Sequence, residues 1–298
     1  MLTVFGSIAL DTTRTPHATQ ERILGGAATF AALSASNYVT TSIVGVVGTD
    51  FPHHYRQLLD SKLDTRGIVS RMDTKSFHFD SSFDFDLIHR STNLTELNAI
   101  SGYEPRIPES YIDSEFVYLA NNDPDQNLEV LGLFSGPKLT VCDTIDYWIV
   151  HKKEMVLKMM SRMDGIVINE QEGRLLCNET NILKCGRILV SLGPKFVVIK
   201  KGESGAILFH EKEIYPIPAF PTEIIRDPTG AGDSFAGALV GYLAKNKKFT
   251  SRELKKAVIH GNVMGSFAIE EFGVTRLLTL SKSEILERYS EYTRILKI

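Results

Sequence analysis

The chain has 298 residues, of which 43% are hydrophobic, so it is long enough to bury a large core as one domain with a small appendage. Lysine and arginine total 33 against 36 for aspartate and glutamate, and this balance excludes a broad basic surface for nucleic acid or membrane lipid. We therefore expect a small-molecule partner, no nucleic acid and no membrane. An odd number of cysteines without metal-ligand spacing, and no visible signal peptide, favour a cytoplasmic protein.

Short apolar runs alternate with longer helical patterns along the chain, which is typical of a parallel sheet covered by helices on both faces. The predicted strands are residues 2–5, 42–47, 115–119, 139–142, 165–168 and 196–199, followed by a hairpin of 206–209 and 213–215. The predicted helices are residues 27–37, 51–61, 149–162, 182–192, 232–245, 251–270 and 282–296. This order predicts a single α/β domain over 1–298, a three-layer α/β/α, doubly wound fold with a mostly parallel sheet.

Two segments, residues 10–24 and 75–99, break this alternation. The second segment alternates polar residues with apolar ones, as strands exposed on one side do. Its apolar residues are Phe77, Phe79, Phe83, Phe85 and Leu87. The two segments predict a small β lid, and an ordinary edge hairpin packed on the core is the alternative.

The most informative stretch is residues 227–237, which read DPTGAGDSFAG. Gly230 and Gly232 allow a tight backbone path that points the N–H groups of Gly230, Ala231 and Gly232 at one spot, beside the positive end of the next helix. Such amides form an anion hole for a phosphate or for the charge of a transition state. Asp233, in the first turn of that helix, is placed to accept a proton from an alcohol. A glycine-rich turn that caps an ordinary helix is the alternative.

Polar side chains also follow other predicted strands. Asn169 and Glu172 come after a short apolar strand, at the height where ligands bind in open α/β sheets. They suit Mg²⁺, which is held through one or two such groups together with ATP phosphates and water. The local alternative is that Asn169 caps the next helix and Glu172 completes a capping box. Asp143 ends another strand, where it either lines the pocket or caps a turn.

Residues 227–237 resemble the C-terminal signature of the ribokinase-like (PfkB) family of carbohydrate and nucleoside kinases. The resemblance extends in order and spacing through Gly25-Gly26, residues 44–50, residues 169–172 and residues 200–205. It implies a ribokinase-like fold and the transfer of a phosphoryl group from ATP, with Mg²⁺, to an alcohol group of a small sugar or polyol-like acceptor. Asp233 would be the base. A nucleoside kinase of the same family is the nearest alternative, and a catalytically silent ligand-binding sensor is an alternative of another class.

The resemblance implies an acceptor site as well. Asp11 matches the family position that accepts hydrogen bonds from substrate hydroxyls, and Gly25 and Gly26 would let the backbone approach the sugar. Many family members have Asn where this chain has Phe30, so Phe30 either stacks on a ring or base or belongs to the core. Arg90, in the predicted lid, either pairs with an anionic acceptor or is solvated. The family often dimerises through this lid, which makes a homodimer an expectation here.

On the nucleotide side the resemblance implies Lys200, Gly202 and Gly205, together with Asn262 on the helix that shapes the family's adenine pocket. Lys200 stands where many relatives carry Thr, and it either touches a phosphate or is solvated. Asp227 marks the region where many family members bind a monovalent cation, so the resemblance implies K⁺ as a further cofactor.

Overall fold

The computed structural model describes residues 1–297. Its strands are β1 (Leu2–Phe5), β2 (Ala9–Arg14), β3 (Thr19–Gly25), β4 (Thr41–Val47), β5 (Asp64–Ser70), β6 (His78–Phe83), β7 (Arg90–Glu96), β8 (Phe116–Leu119), β9 (Leu139–Cys142), β10 (Gly165–Asn169), β11 (Phe196–Lys200), β12 (Ala206–His210) and β13 (Glu213–Ile217). Its helices are α1 (Ala27–Ala35), α2 (His53–Asp60), α3 (Pro124–Leu131), α4 (Asp146–Met160), α5 (Glu170–Cys177), α6 (Ile182–Ser191), α7 (Ala231–Asn246), α8 (Ser251–Ala268), α9 (Thr275–Thr279) and α10 (Lys282–Ile295). None of the helices within residues 1–297 is long and apolar enough to cross a membrane.

The large sheet has nine strands in the order β13-β12-β11-β10-β9-β8-β1-β4-β5. The strands from β11 to β5 in this order are parallel, whereas β12 and β13 add an antiparallel hairpin at one edge. The chain first adds β4 and β5 on one side of β1 and later adds β8 to β11 on the other side. The strand order therefore reverses next to β1, and ligands of open α/β sheets bind outside the carboxyl ends of the strands at such a reversal.

Each face of the large sheet carries its own layer of helices. Val4 packs in a core with α1, α7 and α8, whereas its neighbour Phe5 packs in a second core with α4 and α6. The same alternation occurs in β10, where Val167 faces the first core and Ile166 faces the second. Strands buried on both faces read as continuous apolar runs, which is why the sequence revealed them. The predicted three-layer, mostly parallel α/β/α fold is confirmed.

Four elements are absent from the predicted strands and helices: β5, α3, α9 and α5, the last of which appeared only in the capping-box alternative for Asn169. The α3 sequence PDQNLEVL and the α5 sequence EQEGRLLC are polar and short, so neither shows a long apolar stripe. Both helices begin at a side-chain cap instead, because Asp123 accepts from the Asp125 amide and Asn169 accepts from the Glu172 amide. The predicted helix 149–162 is α4, which begins three residues earlier, at Asp146.

The small sheet has four strands in the order β3-β2-β6-β7. It is formed by the two segments, 10–24 and 75–99, that interrupt the alternation of strands and helices. Two of the apolar residues predicted to alternate along it lie elsewhere than expected: Phe85 and Leu87 occupy the turn between β6 and β7, where Phe85 is 92% exposed. A homodimer formed through this sheet stays a prediction.

A buried histidine packs among tyrosines on the side of the fold that carries α8. The His260 ring stacks on Tyr242 and Tyr289 with centroid distances of 4.5 and 4.3 Å, and its Nδ1 lies 3.2 Å from the hydroxyl of Tyr38. Burial, together with the nearby lysines Lys245 and Lys256, lowers the pKa of His260 to about 4. The folded protein therefore holds this imidazole in its neutral form over most of the physiological pH range.

This depressed pKa predicts a specific acid sensitivity. An unfolded chain protonates His260 near pH 6.5, so the stabilising effect of the neutral ring is complete above that pH and is lost as the pH falls toward about 4. We expect this group alone to remove about 2 kcal/mol from the free energy of unfolding between pH 8 and pH 5. His260→Phe should flatten that part of the profile, as measured by urea denaturation at several pH values. His17→Phe, at an exposed turn, is the control. If the free energy of unfolding depends on pH equally in the native protein and in His260→Phe, the prediction is wrong.

Candidate active site

Side chains from three neighbouring strands meet at the carboxyl edge of the large sheet. Asp143 follows β9, Asn169 ends β10, and Lys200 ends β11 directly beside Asn169 in the strand register. The start of α7 lies against the same edge, since a Cβ added to Gly232 would be 3.0 Å from Lys200 Nζ. The parallel order of β9, β10 and β11 thus gathers residues from distant parts of the chain at the carboxyl edge, where ligands of open α/β sheets bind.

The N-terminus of α7 offers free backbone amides. Gly230 caps the helix with φ 75, a left-handed conformation, and a Cβ there would clash with the ring of Phe30. The N–H groups of Gly230 and Gly232 have no hydrogen-bond partner within residues 1–297, whereas the Ala231 N–H donates to the Pro228 carbonyl at 3.2 Å. The prediction that the Ala231 amide belongs to the anion hole is therefore corrected: this amide closes the preceding turn, and only those of Gly230 and Gly232 stay free.

Asp233 lies half-buried in the first turn of α7. Its removal from water and the nearby Asp143 raise its pKa to about 6, while the charges of Lys200 and Arg90 act in the opposite direction. A carboxylate with this pKa is mostly ionised at neutral pH and is a stronger base than an ordinary aspartate. It can accept a proton from an alcohol.

Asp11, on β2, is 5% exposed, and only one of its carboxylate oxygens has a partner. Oδ2 accepts the Gly26 N–H at 3.1 Å, while Oδ1 is buried without a partner within the described chain. Burial, with the charges of Asp227 and Asp233, raises the pKa of Asp11 to about 7. A buried oxygen without a partner is costly, so a hydroxyl donor from a ligand would relieve it.

Gly25 and Gly26 are required by the packing around Asp11. A side chain at Gly25 would clash with Asp11 Oδ2, and one at Gly26, where φ is 93, would lie 2.5 Å from the Ser7 carbonyl oxygen. Asn121, which follows β8, was missed by the sequence reading although its Oδ1 is also buried without a partner among residues 1–297. Its place directly after a parallel strand was the available signal.

Asn169 and Glu172 form the capping box that the sequence offered as an alternative. Asn169 Oδ1 accepts the Glu172 N–H at 2.8 Å, and Glu172 Oε2 accepts the Asn169 N–H at 3.0 Å. Burial and the nearby Asp143 raise the pKa of Glu172 to about 8. Glu172 Oε1 accepts no hydrogen bond in the described part of the chain, so one oxygen stays free for a ligand.

No group of three or more His, Cys, Asp or Glu side chains within residues 1–297 could hold a metal ion by itself. A Mg²⁺ ion beside Glu172 would therefore take most of its ligands from phosphates and water. This fits a hard cation that dehydrates reluctantly and is commonly bound through one or two carboxylates.

Lys200 is paired rather than solvated. Its Nζ donates to Asp143 Oδ2 at 2.8 Å, and the two side chains are only 14% and 3% exposed. Asp143 is held in turn by the Thr144 N–H, which donates to Oδ1 at 2.7 Å, and by the hydroxyl of Tyr118. Asp143 therefore lines the site, and it also begins the turn that leads to α4.

Phe30 is a buried core residue. Its side chain is 1% exposed and belongs to the core formed with α7, where it packs under Gly230. The core alternative for Phe30 is therefore the one that the structure supports, because an aromatic ring without an accessible face cannot stack on a substrate.

Two residues of the predicted nucleotide side, Asn262 and Gly205, have structural contacts of their own. Asn262, on α8, donates to the Pro218 carbonyl at 3.0 Å and to the Tyr292 hydroxyl at 2.8 Å. Gly205, at φ 88, admits no side chain because a Cβ would clash with the Ile217 carbonyl. Gly202 differs, because a Cβ there would meet nothing within 4 Å and the turn is open to a ligand.

Two further charged residues border the site. Asp227 is fully buried and orders the loop before α7 by accepting the Thr229 N–H at 2.9 Å and the Gly273 N–H at 3.1 Å. Arg90 extends from the small sheet until its Nη2 lies 3.9 Å from Asp146 Oδ1 at the start of α4. A monovalent cation at Asp227 stays a prediction.

Known proteins resemble this chain along most of its length. Residues 133–280 match the pfkB family carbohydrate kinase profile. A cytidine kinase of Thermococcus kodakarensis is 31% identical over 252 residues, which cover 81% of this chain and 88% of the relative. The crystal structure of a nucleoside kinase of Methanocaldococcus jannaschii, an archaeal member of the ribokinase family, aligns with a TM-score of 0.78 over 97% of this chain and 98% of that one, at 21% identity.

A third relative bears on the cofactors. The crystal structure of a putative ribokinase II from E. coli in complex with ATP and Mg²⁺ aligns with a TM-score of 0.76 over 97% of this chain and 99% of that one, at 17% identity. Kinases of this family use ATP with a divalent metal ion. This chain belongs to the pfkB family of carbohydrate kinases, and it is a phosphotransferase for a sugar or a nucleoside.

Proposed function

We propose that this protein transfers a phosphoryl group from ATP to a ribose hydroxyl of a nucleoside. The sequence reading placed a small sugar or polyol first, and the 31% identity to a cytidine kinase over 88% of its length is the observation that favours the nucleoside. The unpartnered oxygen of Asp11 supports a hydroxyl-bearing acceptor of either kind, since a carboxylate binds the hydroxyls of a sugar ring well.

In the proposed reaction Asp233 accepts the proton of the acceptor hydroxyl as that oxygen bonds to the γ-phosphorus and the bond to ADP breaks. The free amides of Gly230 and Gly232, at the positive end of α7, stabilise the negative charge of the phosphoryl group in transit. Glu172, with Asn169 beside it, would hold Mg²⁺ jointly with phosphate and water. When bound, that ion neutralises charge on the donor phosphates.

The acceptor class can be tested by measuring ADP release with Mg·ATP across pyrimidine and purine nucleosides, free ribose, other pentoses and hexoses, sugar acids and inositols. We expect kcat/KM for at least one nucleoside to exceed that for free ribose by about 10-fold or more, because the base adds contacts worth roughly 1–3 kcal/mol. A sugar or polyol that is turned over faster than every nucleoside would overturn the proposal. Tight binding of a ligand with no ADP release at all would identify a sensor.

Asp233→Asn should lower kcat by roughly 10²–10⁴-fold, because it keeps the shape of the side chain and removes the proton acceptor. The affinity for Mg·ADP, measured by calorimetry, should change little. In the native enzyme, kcat/KM should fall as the pH drops below about 6, where Asp233 becomes protonated. A variant that retains activity within about threefold of native would remove Asp233 from the mechanism, since that loss is far below the range for a positioned base.

Phe30→Leu distinguishes a core residue from a residue that stacks on the base. Because the ring is buried, we expect the free energy of unfolding to fall by roughly 1–2 kcal/mol and KM for the nucleoside to change less than about twofold. Thermal denaturation and steady-state kinetics on the same preparation provide both values. A KM raised by about 10-fold at unchanged stability would instead support stacking.

A further inference from the structure

The Lys200–Asp143 pair is a buried ion pair, and its presence is weak evidence for a role in stability. Its two side chains are 14% and 3% exposed, and a buried ion pair is commonly no more stabilising than apolar side chains of the same volume. The pair also lies at the carboxyl edge of the sheet, where ligands of this fold class bind. The position of this ion pair therefore points to a role in binding or catalysis rather than in packing.

The ammonium of Lys200 faces the helix end that carries the free amides. A Cβ on Gly232 would lie 3.0 Å from Nζ, so an anion held by the Gly232 N–H would also lie within reach of this charge. An ammonium has three donors, and Asp143 takes one of them. Within residues 1–297 the other two have no partner, so Lys200 can bind a second anion without leaving Asp143.

We propose that Lys200 contacts the phosphoryl group during its transfer and that Asp143 holds the ammonium in place against Gly232. The inference rests on the proposed kinase function and adds a catalytic residue, Lys200, and a positioning residue, Asp143. Lys200 stays protonated throughout: the proton of the acceptor goes to Asp233, and the lysine donates hydrogen bonds to a non-bridging oxygen of the phosphoryl group. A compact point charge suits this task.

The pair also sets the charge around the base. Burial raises the pKa of Asp233 most, the charge of Asp143 adds to this effect, and the charges of Lys200 and Arg90 oppose it. Asp11, whose carboxyl group also interacts with Asp233, is a further nearby acid. Removing the lysine charge should therefore raise the pKa of Asp233, and removing the Asp143 charge should lower it. The acid limb of kcat/KM should move to higher pH in Lys200→Met and to lower pH in Asp143→Asn.

The decisive variant is Lys200→Met, which keeps an unbranched side chain of similar length. We expect kcat to fall about 10²–10³-fold, the loss typical of one missing donor to the developing charge, with KM for the acceptor within about threefold. Affinity for Mg·ADP with aluminium fluoride, a mimic of the phosphoryl group in transit, should fall by a similar factor, while affinity for Mg·ADP alone changes little. Lys201→Met, the same change at the next residue, is the matched control and should leave every value within about twofold of native.

Loss of the lysine leaves Asp143 buried without its partner, which is destabilising. The double variant Lys200→Met with Asp143→Asn removes that charge too, and it should fold while remaining as slow as the single variant. A double or single variant that folds with kcat within about threefold of native and with undiminished affinity for the aluminium fluoride complex would overturn the inference. That binding measurement needs no known acceptor, so it can fail independently of the nucleoside assignment.

Discussion

The close contact between α1 and α7 fixes the position of the candidate catalytic groups. A side chain at Gly237 would clash with the Ala31 carbonyl, and one at Gly241 would lie 3.0 Å from Ala35 Cα, so the two helices approach with almost no side chain between them. Near the start of α7, the hydroxyl of Ser34 donates to the Ser234 carbonyl at 2.6 Å. Because protein interiors are close-packed and resist compression, this contact holds the N-terminus of α7 rigidly at the carboxyl edge of the sheet.

The site contains several carboxyl groups whose burial disfavours their ionised forms. The pKa values of Asp11, Asp233 and Glu172 are all raised, in each case mainly by burial, and such clustering lowers the stability of the folded protein near neutral pH. Nearby cations relieve part of this cost, since Arg90 acts on all three carboxyl groups and Lys200 acts on Asp233 and Glu172. With pKa values of about 6 to 8 these groups are only partly ionised near neutral pH, and a cation that binds beside them would favour their ionised forms.

The sequence predicted the large sheet well because its strands are buried on both faces and read as apolar runs. It predicted the small sheet from alternation, and it predicted a helix from residue 232, one residue after the observed start of α7 at Ala231. It could not predict contacts between distant segments. Lys200 and Asp143 are 57 residues apart, and nothing in either local sequence indicates that they pair. The burial of Phe30 likewise depends on packing between distant segments. The hydrogen bond from the Ala231 amide to Pro228 depends on a turn geometry that residue types alone do not determine.

The proposed phosphate-side groups and the proposed acceptor-side groups come from different parts of the fold. The groups of the phosphate side end parallel strands or begin α7, and those positions are dictated by the sheet. The acceptor side adds Asp11 and Arg90 from the small sheet. The two sides are joined directly, since Thr13 Oγ1 on β2 lies 3.2 Å from Thr229 Oγ1 in the loop before α7. This contact joins the strand that carries Asp11 to the loop that precedes the Gly230 amide, so the proposed acceptor side and the proposed anion hole share one hydrogen-bonded connection.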